Sequence, residues 1–416
     1  MRIEFIAIGS EMLFLDRIES NSFHLQKYLR NMGLDLSRKT IIGDDRIEIQ
    51  NTIKESLVRS DALILSGGLG PTVDDLTVDT IAELLGRKTD LNPGSWNKIQ
   101  ERLSQIGRTP NLGHKKQAYT IEGASILENS VGQAPGQYIE VKGRHIFLLP
   151  GVPAEFKALV ADGVLPILRK ISPPLKPVNV LVFKFAAIAE SDLDLRISSK
   201  LSNLIPLKGE VFIITTKPGV QTVSLVTRLI DKELEDRKKA VEKAFMEEFP
   251  DNFYTSEDKN LEENVGSLLM EKNLKLATAE SCTGGLLADR ITDIPGSSTY
   301  FLEGLITYHN DAKRNLLGVK EETLHAYGAV SEETAGEMCA ALRIMSGADI
   351  ALSITGIAGP GGGSFDKPVG TVFIGIADKN GINIETKTIS GTRRFFKEWV
   401  TSVALNSIRL RILRYH

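Results

Sequence analysis

The run Ala279-Glu280-Ser281-Cys282-Thr283-Gly284-Gly285 holds the residue types of nucleophilic catalysis within a few positions. It follows Leu274 to Thr278, which reads as a buried strand, and precedes Leu286 to Ile291, which reads as helix. A hydroxyl residue at a strand-to-helix turn stands clear of the sheet. Backbone N–H groups at the helix start, from Thr283, Gly284 and Gly285, can then hold an oxyanion. On this segment alone Ser281 is a nucleophile or a plain helix N-cap. Cys282 is a rival nucleophile, needing a His or a helix dipole beside it, or else a small packing residue.

A nucleophile needs a base and an anion site. Thr307-Tyr308-His309-Asn310-Asp311-Ala312-Lys313 follows the strand-like run Phe301 to Ile306. Lys313 can serve as base where burial keeps it neutral, because desolvation penalises the ammonium; its bland alternative is a solvated helix residue. Tyr308 can donate a hydrogen bond or merely pack, and His309 is either a rival base or a surface residue. Ile354-Thr355-Gly356-Ile357-Ala358-Gly359-Pro360-Gly361-Gly362-Gly363 suits close backbone approach to an anion, or a lid or turn. It is not a Walker loop, since no Gly-Lys-Ser/Thr follows. Lys367, Arg393 and Arg394 are candidate partners for phosphate or carboxylate.

A second constellation lies near the amino terminus. Ser66-Gly67-Gly68-Leu69-Gly70-Pro71-Thr72-Val73-Asp74-Asp75-Leu76-Thr77 follows the strand Ala62–Leu65. Gly67, Gly68 and Gly70 let the backbone approach a phosphate. Asp74 and Asp75 can bind a divalent ion that bridges a pyrophosphate, or simply cap a helix. Glu11 and Asn21 flank the end of the first strand and can line the same cleft. Leu149-Pro150-Gly151-Val152-Pro153-Ala154-Glu155 is a similar turn, with Pro153 apt for a helix start.

The elements that must position these residues fall into three blocks. From 1 to about 170, strands (Ile3–Ile8, Ala62–Leu65, His145–Leu149) alternate with helices (Ser22–Met32, Ile47–Arg59, Ala154–Leu168). This predicts a parallel sheet covered by helices, with ligands beyond the carboxyl ends of its strands. The proline-rich stretch Ser172 to Pro177 reads as a linker. Residues 177–250 read as a small α+β block, and 251–260 as a polar joint. Residues 261–416 return to mixed α/β, with strands Ile350–Ile354, Thr371–Ile376 and Ile382–Thr388 and a final helix presenting Phe396, Trp399, Val400 and Val403 inward.

A chain of 416 residues needs more than one core. A net charge of −3 carries no polyanion-binding signature, so a nucleic-acid partner is not expected. Two cysteines make no disulfide framework and fit a reducing cytoplasm. No segment has the length of a membrane span, and the first residues lack the features of a signal peptide, so no membrane partner is expected.

The third block resembles the carboxyl-terminal domain of the CinA (competence/damage-inducible) family, which is similar to the nicotinamide-nucleotide amidases. The resemblance rests on 279–285, Ile294-Pro295-Gly296-Ser297-Ser298, Gly328-Ala329-Val330-Ser331, 355–360 and Lys367-Pro368-Val369-Gly370. It implies hydrolysis of nicotinamide mononucleotide to nicotinate mononucleotide and ammonia without a cofactor. Ser281 would be the nucleophile and Lys313 its base, with Tyr308, Thr355 and Arg393 assisting and Arg394 as the alternate arginine. Where the family often has a second arginine in the last helix, this chain has Lys397, which lacks the bidentate guanidinium. The first block resembles the family's molybdopterin-binding-like domain through 67–77 and 150–155, which implies a divalent metal ion and hydrolysis of ADP-ribose. There the chain has Ser10 in place of a common Asp. The middle block resembles the family's KH-type insert at Ala189-Glu190-Ser191, without the Gly-x-x-Gly loop that clamps RNA. The expected architecture is therefore two separate three-layer α/β domains, 1–170 and 261–416, joined by a small α+β KH-type domain, 177–250. The expected state is a cytoplasmic homodimer acting on pyridine nucleotides and ADP-ribose. The alternatives are a pterin- or nucleotide-binding first domain without turnover, and a non-catalytic scaffold in DNA uptake.

Overall fold

Hydrophobic alternation along the first strand dictates the first domain. In Ile3–Ile8, Ile3, Phe5 and Ala7 pack with Leu25, Leu29 and Phe156, while Ile6 and Ile8 pack with Ile49, Ile53 and Ile81. A strand buried on both faces must carry helices on both, which gives three layers. The computed structural model describes residues 1–173 and 175–415; Pro174, within the proline-rich linker, lies outside the described residues. These form two compact units, Met1–Asn179 with Arg228–Ile230, and Val180–Thr227 with the chain from Asp231 onward.

The first unit holds a six-stranded sheet in the order Leu36–Ile42, Ile3–Ile8, Ala62–Ser66, Arg144–Leu149, Gly136–Val141, Ser125–Leu127. The first four strands run parallel, as the βα alternation predicts, but the last two are antiparallel. The reason is local: Lys142 and Gly143 both take positive φ (49° and 76°), the tight turn that folds a strand straight back on its neighbour. Ile8, Ser66 and Leu149 end side by side. Gly67 follows at φ 114°, and a Cβ there would stand 2.0 Å from the Ile8 carbonyl oxygen.

In the second unit, the strands Val211–Lys217, Val220–Thr227, Asn179–Ala186 and Phe253–Thr255 make an α+β module. The helices Glu190–Lys200 and Asp231–Glu248 cover it through Leu193, Ile197, Val241 and Phe245. The segment read as a polar joint thus contains a strand, with Phe253 buried. The remaining sheet has five strands in the order Phe301–Ile306, Leu276–Glu280, Ile350–Gly356, Thr371–Asp378, Gly381–Thr388. Its first three are parallel. The helices Leu261–Glu271 and Arg393–Leu413 cover one face, and Glu332–Ser346 the other.

The terminal helix also anchors the α+β module. Buried Arg409 donates to the carbonyls of Asp251 (2.7 Å) and Phe253 (3.1 Å), and Ser402 Oγ donates to that of Pro218 (2.9 Å). Among the described residues no helix is long and apolar enough to cross a membrane. Gly67→Ala is expected to shift the urea midpoint of the first unit downward, by roughly 1–3 kcal/mol for the backbone alone. Gly107→Ala, at φ 68° with open space around it, should fall short of that shift by circular dichroism in the same titration.

Candidate active sites

Strand register gathers the first site. Glu280 pairs with Ile306 on one side and Ile354 on the other, so the residues after them emerge at one edge of the sheet. Ser281 N–H donates to the Ile354 carbonyl (2.9 Å), and Thr307 N–H to the Glu280 carbonyl (2.7 Å). From the helix Asn310–Leu317, Lys313 reaches back into this edge with 1% of its surface exposed. Its Nζ lies 3.0 Å from Ser281 Oγ and donates to the carbonyls of Thr307 (2.7 Å) and Tyr308 (3.4 Å). No carboxylate pairs with Lys313 among the described residues, and burial pulls its ammonium below the ordinary lysine value. A neutral amine has two hydrogens and one lone pair. In a neutral amine whose hydrogens went to the two carbonyls, the lone pair would face the hydroxyl of Ser281, itself only 8% exposed.

Glu280 organises the turn, and sequence reasoning passed over it. Its buried carboxylate accepts from the N–H groups of Gly285 (3.1 Å), Leu287 (3.1 Å) and Ala288 (2.8 Å). The start of the helix Leu286–Thr292 is therefore filled by the protein's own acid. This corrects the expectation that the helix start holds an oxyanion. Gly285 N–H is committed to Glu280 and Gly284 N–H to the Ser281 carbonyl (3.1 Å). The N–H group of Thr283 has no acceptor among the described residues, and that of Cys282 none beyond its own side chain. An acid directly before a turn hydroxyl and a following helix was the available signal. Cys282 is buried, and that burial pushes its thiol up to about 12, so it stays protonated and packs.

Thr355 is buried and its hydroxyl donates to the Ala329 carbonyl (2.6 Å). Arg393 donates to the Tyr308 hydroxyl (2.6 Å) and to the Gly359 carbonyl (2.8 Å), tying the strand end to the glycine loop. Arg394 instead pairs with Glu398 on its own helix, so Arg393 is the one that faces this edge. Lys397, one turn on, has its Nζ 3.5 Å from where a Cβ on Gly284 would stand. Gly356 has no room for a side chain, its Cβ position being 2.8 Å from the Thr371 carbonyl oxygen; Gly359 has φ 73°; Gly361 is open and exposed. Lys367 donates to the Tyr327 carbonyl (2.7 Å), and the exposed His309 ring accepts from Asp311 N–H (3.2 Å).

The second site is a cavity of about 1140 Å³ in the first unit, at the ends of its parallel strands. Glu11, Asn21, Gly67, Gly68, Gly70, Asp74 and Asp75 all line it, joined by Asp44, Arg102 and Glu155, to which sequence reasoning gave no part in the cleft. Asn21 donates to Ser66 Oγ (2.9 Å) and the Gly151 carbonyl (2.8 Å), while its buried Oδ1 has no partner. Ser10 N–H donates to Asp44 (2.7 Å), and Ser10 Oγ accepts from Asp44 N–H (3.1 Å), so the serine fixes an acid at the cavity wall.

Comparison with known proteins fits both halves. A family model described as "CinA C-terminal domain" matches residues 258–412, and one described as "Probable molybdopterin binding domain" matches residues 4–170. A competence-damage inducible protein of Caldicellulosiruptor saccharolyticus is 39% identical over the full length of both chains. The chain belongs to the CinA family. A relative of the same description from Acetivibrio thermocellus is 36% identical over 100% of this chain and 99% of its own. A crystal structure of a CinA-superfamily protein from Klebsiella pneumoniae is 32% identical, covering 38% of this chain and all of that one, at a TM-score of 0.37.

For this CinA-family chain, the acids of the cavity can be weighed against a metal. No three His, Cys, Asp or Glu side chains converge to cage an ion among the described residues. Asp75 also accepts from the N–H (2.8 Å) and hydroxyl of Thr72. The donor set fits a hard divalent ion whose shell is completed by phosphate oxygens, not a resident all-protein cage. For the other site, native protein at pH 8 should resist maleimide and label at both cysteines only after denaturation, read by mass spectrometry. A thiol near 12 is ionised on the order of 10⁻⁴ at that pH.

Proposed function

We propose that the carboxyl-terminal domain is an amidohydrolase that converts nicotinamide mononucleotide to nicotinate mononucleotide and ammonia, with Ser281 as nucleophile and Lys313 as base. The contact that carries this is the 3.0 Å approach of Lys313 Nζ to Ser281 Oγ, made by a buried amine with no carboxylate partner. A lysine kept only for charge would seek water or an acid; this one has carbonyls and a hydroxyl.

In this reading Lys313 takes the Ser281 proton as the oxygen attacks the carboxamide carbon. The N–H groups of Cys282 and Thr283 stabilise the oxyanion; Thr283 keeps the role expected of it and Cys282 replaces the two glycines. Lys313 passes its proton to the leaving nitrogen, ammonia departs, and water deprotonated by Lys313 cleaves the acyl-enzyme. Thr355, with its own hydrogen given to Ala329, is left as an acceptor for the amide nitrogen. Arg393 and Lys397 supply positive charge for the 5′-phosphate, with Tyr308 held beside them. No cofactor is needed. Both cysteines are free thiols, which suits a reducing cytoplasm.

We read the amino-terminal cleft as a metal-dependent hydrolase of ADP-ribose, because glycine backbone and Asp74 and Asp75 meet in one cavity. An ion held there would neutralise pyrophosphate charge. A cleft that only binds a pterin or nucleotide is the rival. The relatives' naming after competence would also suit a scaffold, but a scaffold leaves the buried Ser281–Lys313 pair without a purpose.

Ser281→Ala should abolish ammonia release from nicotinamide mononucleotide, while Cys282→Ala keeps most of it. Lys313→Met should lower kcat by about 10²–10⁴ with little change in KM, and the wild-type rate should rise with pH through a group titrating below ordinary lysine. The reverse Ser/Cys pattern, or a pure KM defect, would reassign the roles. In the cleft, Asp74→Asn with Asp75→Asn should remove metal-dependent release of AMP from ADP-ribose, measured by chromatography; a mere binder would show no such release in any form.

A further inference from the structure

We propose that Glu155 is the general base of the amino-terminal cleft, accepting the proton of the water that attacks the pyrophosphate. The inference rests on the reading of that cleft as a pyrophosphatase.

Glu155 enters the cavity from the first turn of the helix Pro153–Leu159, directly after the strand Arg144–Leu149 ends. An acid in a helix's first turn usually caps that helix or pairs with a cation. Glu155 does neither among the described residues. Its one protein hydrogen bond is from Asn129 Nδ2 to Oε2, at 2.6 Å. Asn129 is itself fixed: its Nδ2 also donates to the Ala134 carbonyl (2.8 Å), and its Oδ1 accepts from the N–H groups of Val131 (3.1 Å) and Gly132 (2.7 Å). The turn lies so close that a Cβ on Gly132 would fall 1.8 Å from the Glu155 carboxyl carbon. Arg102, on the same wall, gives a guanidinium N–H to the Ser130 carbonyl (2.6 Å) rather than to the acid.

One oxygen is thus clamped, and Oε1 has no partner among the described residues. That is the arrangement of a base with a fixed lone pair waiting for water. Asp75 is engaged by Thr72 and Asp44 by Ser10. Burial raises the Glu155 carboxyl above the usual range, against the lowering effects of Asn129 and Arg102, and a raised carboxyl is a stronger base. The charged groups sharing its cavity are Arg102 beside it and Arg17, Glu11, Glu19, Asp44, Asp74 and Asp75 along the walls.

In the step, the water oxygen bonds to one phosphorus as Glu155 takes a water proton. The bond from that phosphorus to the bridging oxygen breaks, and its electron pair leaves with the second phosphate. AMP and ribose 5-phosphate result, and Glu155 returns the proton to solvent.

The test uses the full chain. Glu155→Gln keeps an oxygen for Asn129 but removes the base. With ADP-ribose and Mg²⁺ or Mn²⁺, its kcat should fall at least about 100-fold with KM near wild type. Calorimetric binding of ADP-ribose without metal should be unchanged, and the acid limb of the wild-type kcat profile should vanish. Glu155→Asp should retain that limb at reduced rate, which keeps the test decisive if the glutamine variant folds poorly. Turnover of Glu155→Gln within threefold of wild type would overturn the proposal, as would joint loss of binding and turnover in a variant with the wild-type circular dichroism spectrum, or an unaltered acid limb. If the wild type releases no AMP with either ion, the pyrophosphatase reading itself falls and the base with it.

Discussion

Lys313 places a nitrogen in the interior with two carbonyls and a hydroxyl around it and no carboxylate beside it. Burying an amine this way disfavours its charged form and requires its hydrogens to be satisfied, and the carbonyls of Thr307 and Tyr308 meet the second condition. Three parallel strands stop in register, which supplies the carbonyls and delivers Ser281. Glu280 holds the following helix by its N–H groups, which keeps the turn from relaxing toward the lysine. The negative charge of Glu280 is thereby balanced by a helix start instead of by Lys313. A Glu280 paired with Lys313 would instead favour the ammonium.

The amino-terminal cavity follows the same geometric logic with different chemistry. Parallel strands again stop together, but here the turns are built from glycine and acid, and the opening is wide. Close packing at Gly67 lets the loop pass over the Ile8 carbonyl, and this brings Gly68 and Gly70 to the rim. One arrangement, strands stopping together, thus seats a buried Ser281–Lys313 pair in one domain and a cavity lined by glycine and acid in the other.

Much of this was legible in the sequence, and the failures are physically distinct. The buried strands were visible because apolar runs of that length have few other uses. The antiparallel edge of the first sheet was missed because a two-residue turn of Lys142 and Gly143 reverses the chain with little compositional mark. Phe253–Thr255 hid among polar neighbours because a three-residue strand carries almost no periodicity. Adjacent Arg393 and Arg394 point roughly 100° apart on a helix, so tertiary packing alone separates the one facing Tyr308 from the one facing Glu398. Glu280 was overlooked because its partners are backbone groups, which sequence does not distinguish.

The helix Arg393–Leu413 carries Arg393 at one end and the anchors Ser402 and Arg409 further along. It both flanks the Ser281–Lys313 site, through Arg393 and Tyr308, and moors the α+β module. Recombination that exchanged the module alone would strand a buried guanidinium opposite carbonyls it no longer met. The two segments are therefore coupled, although Pro218 and Ser402, which meet there, stand 184 positions apart in the chain.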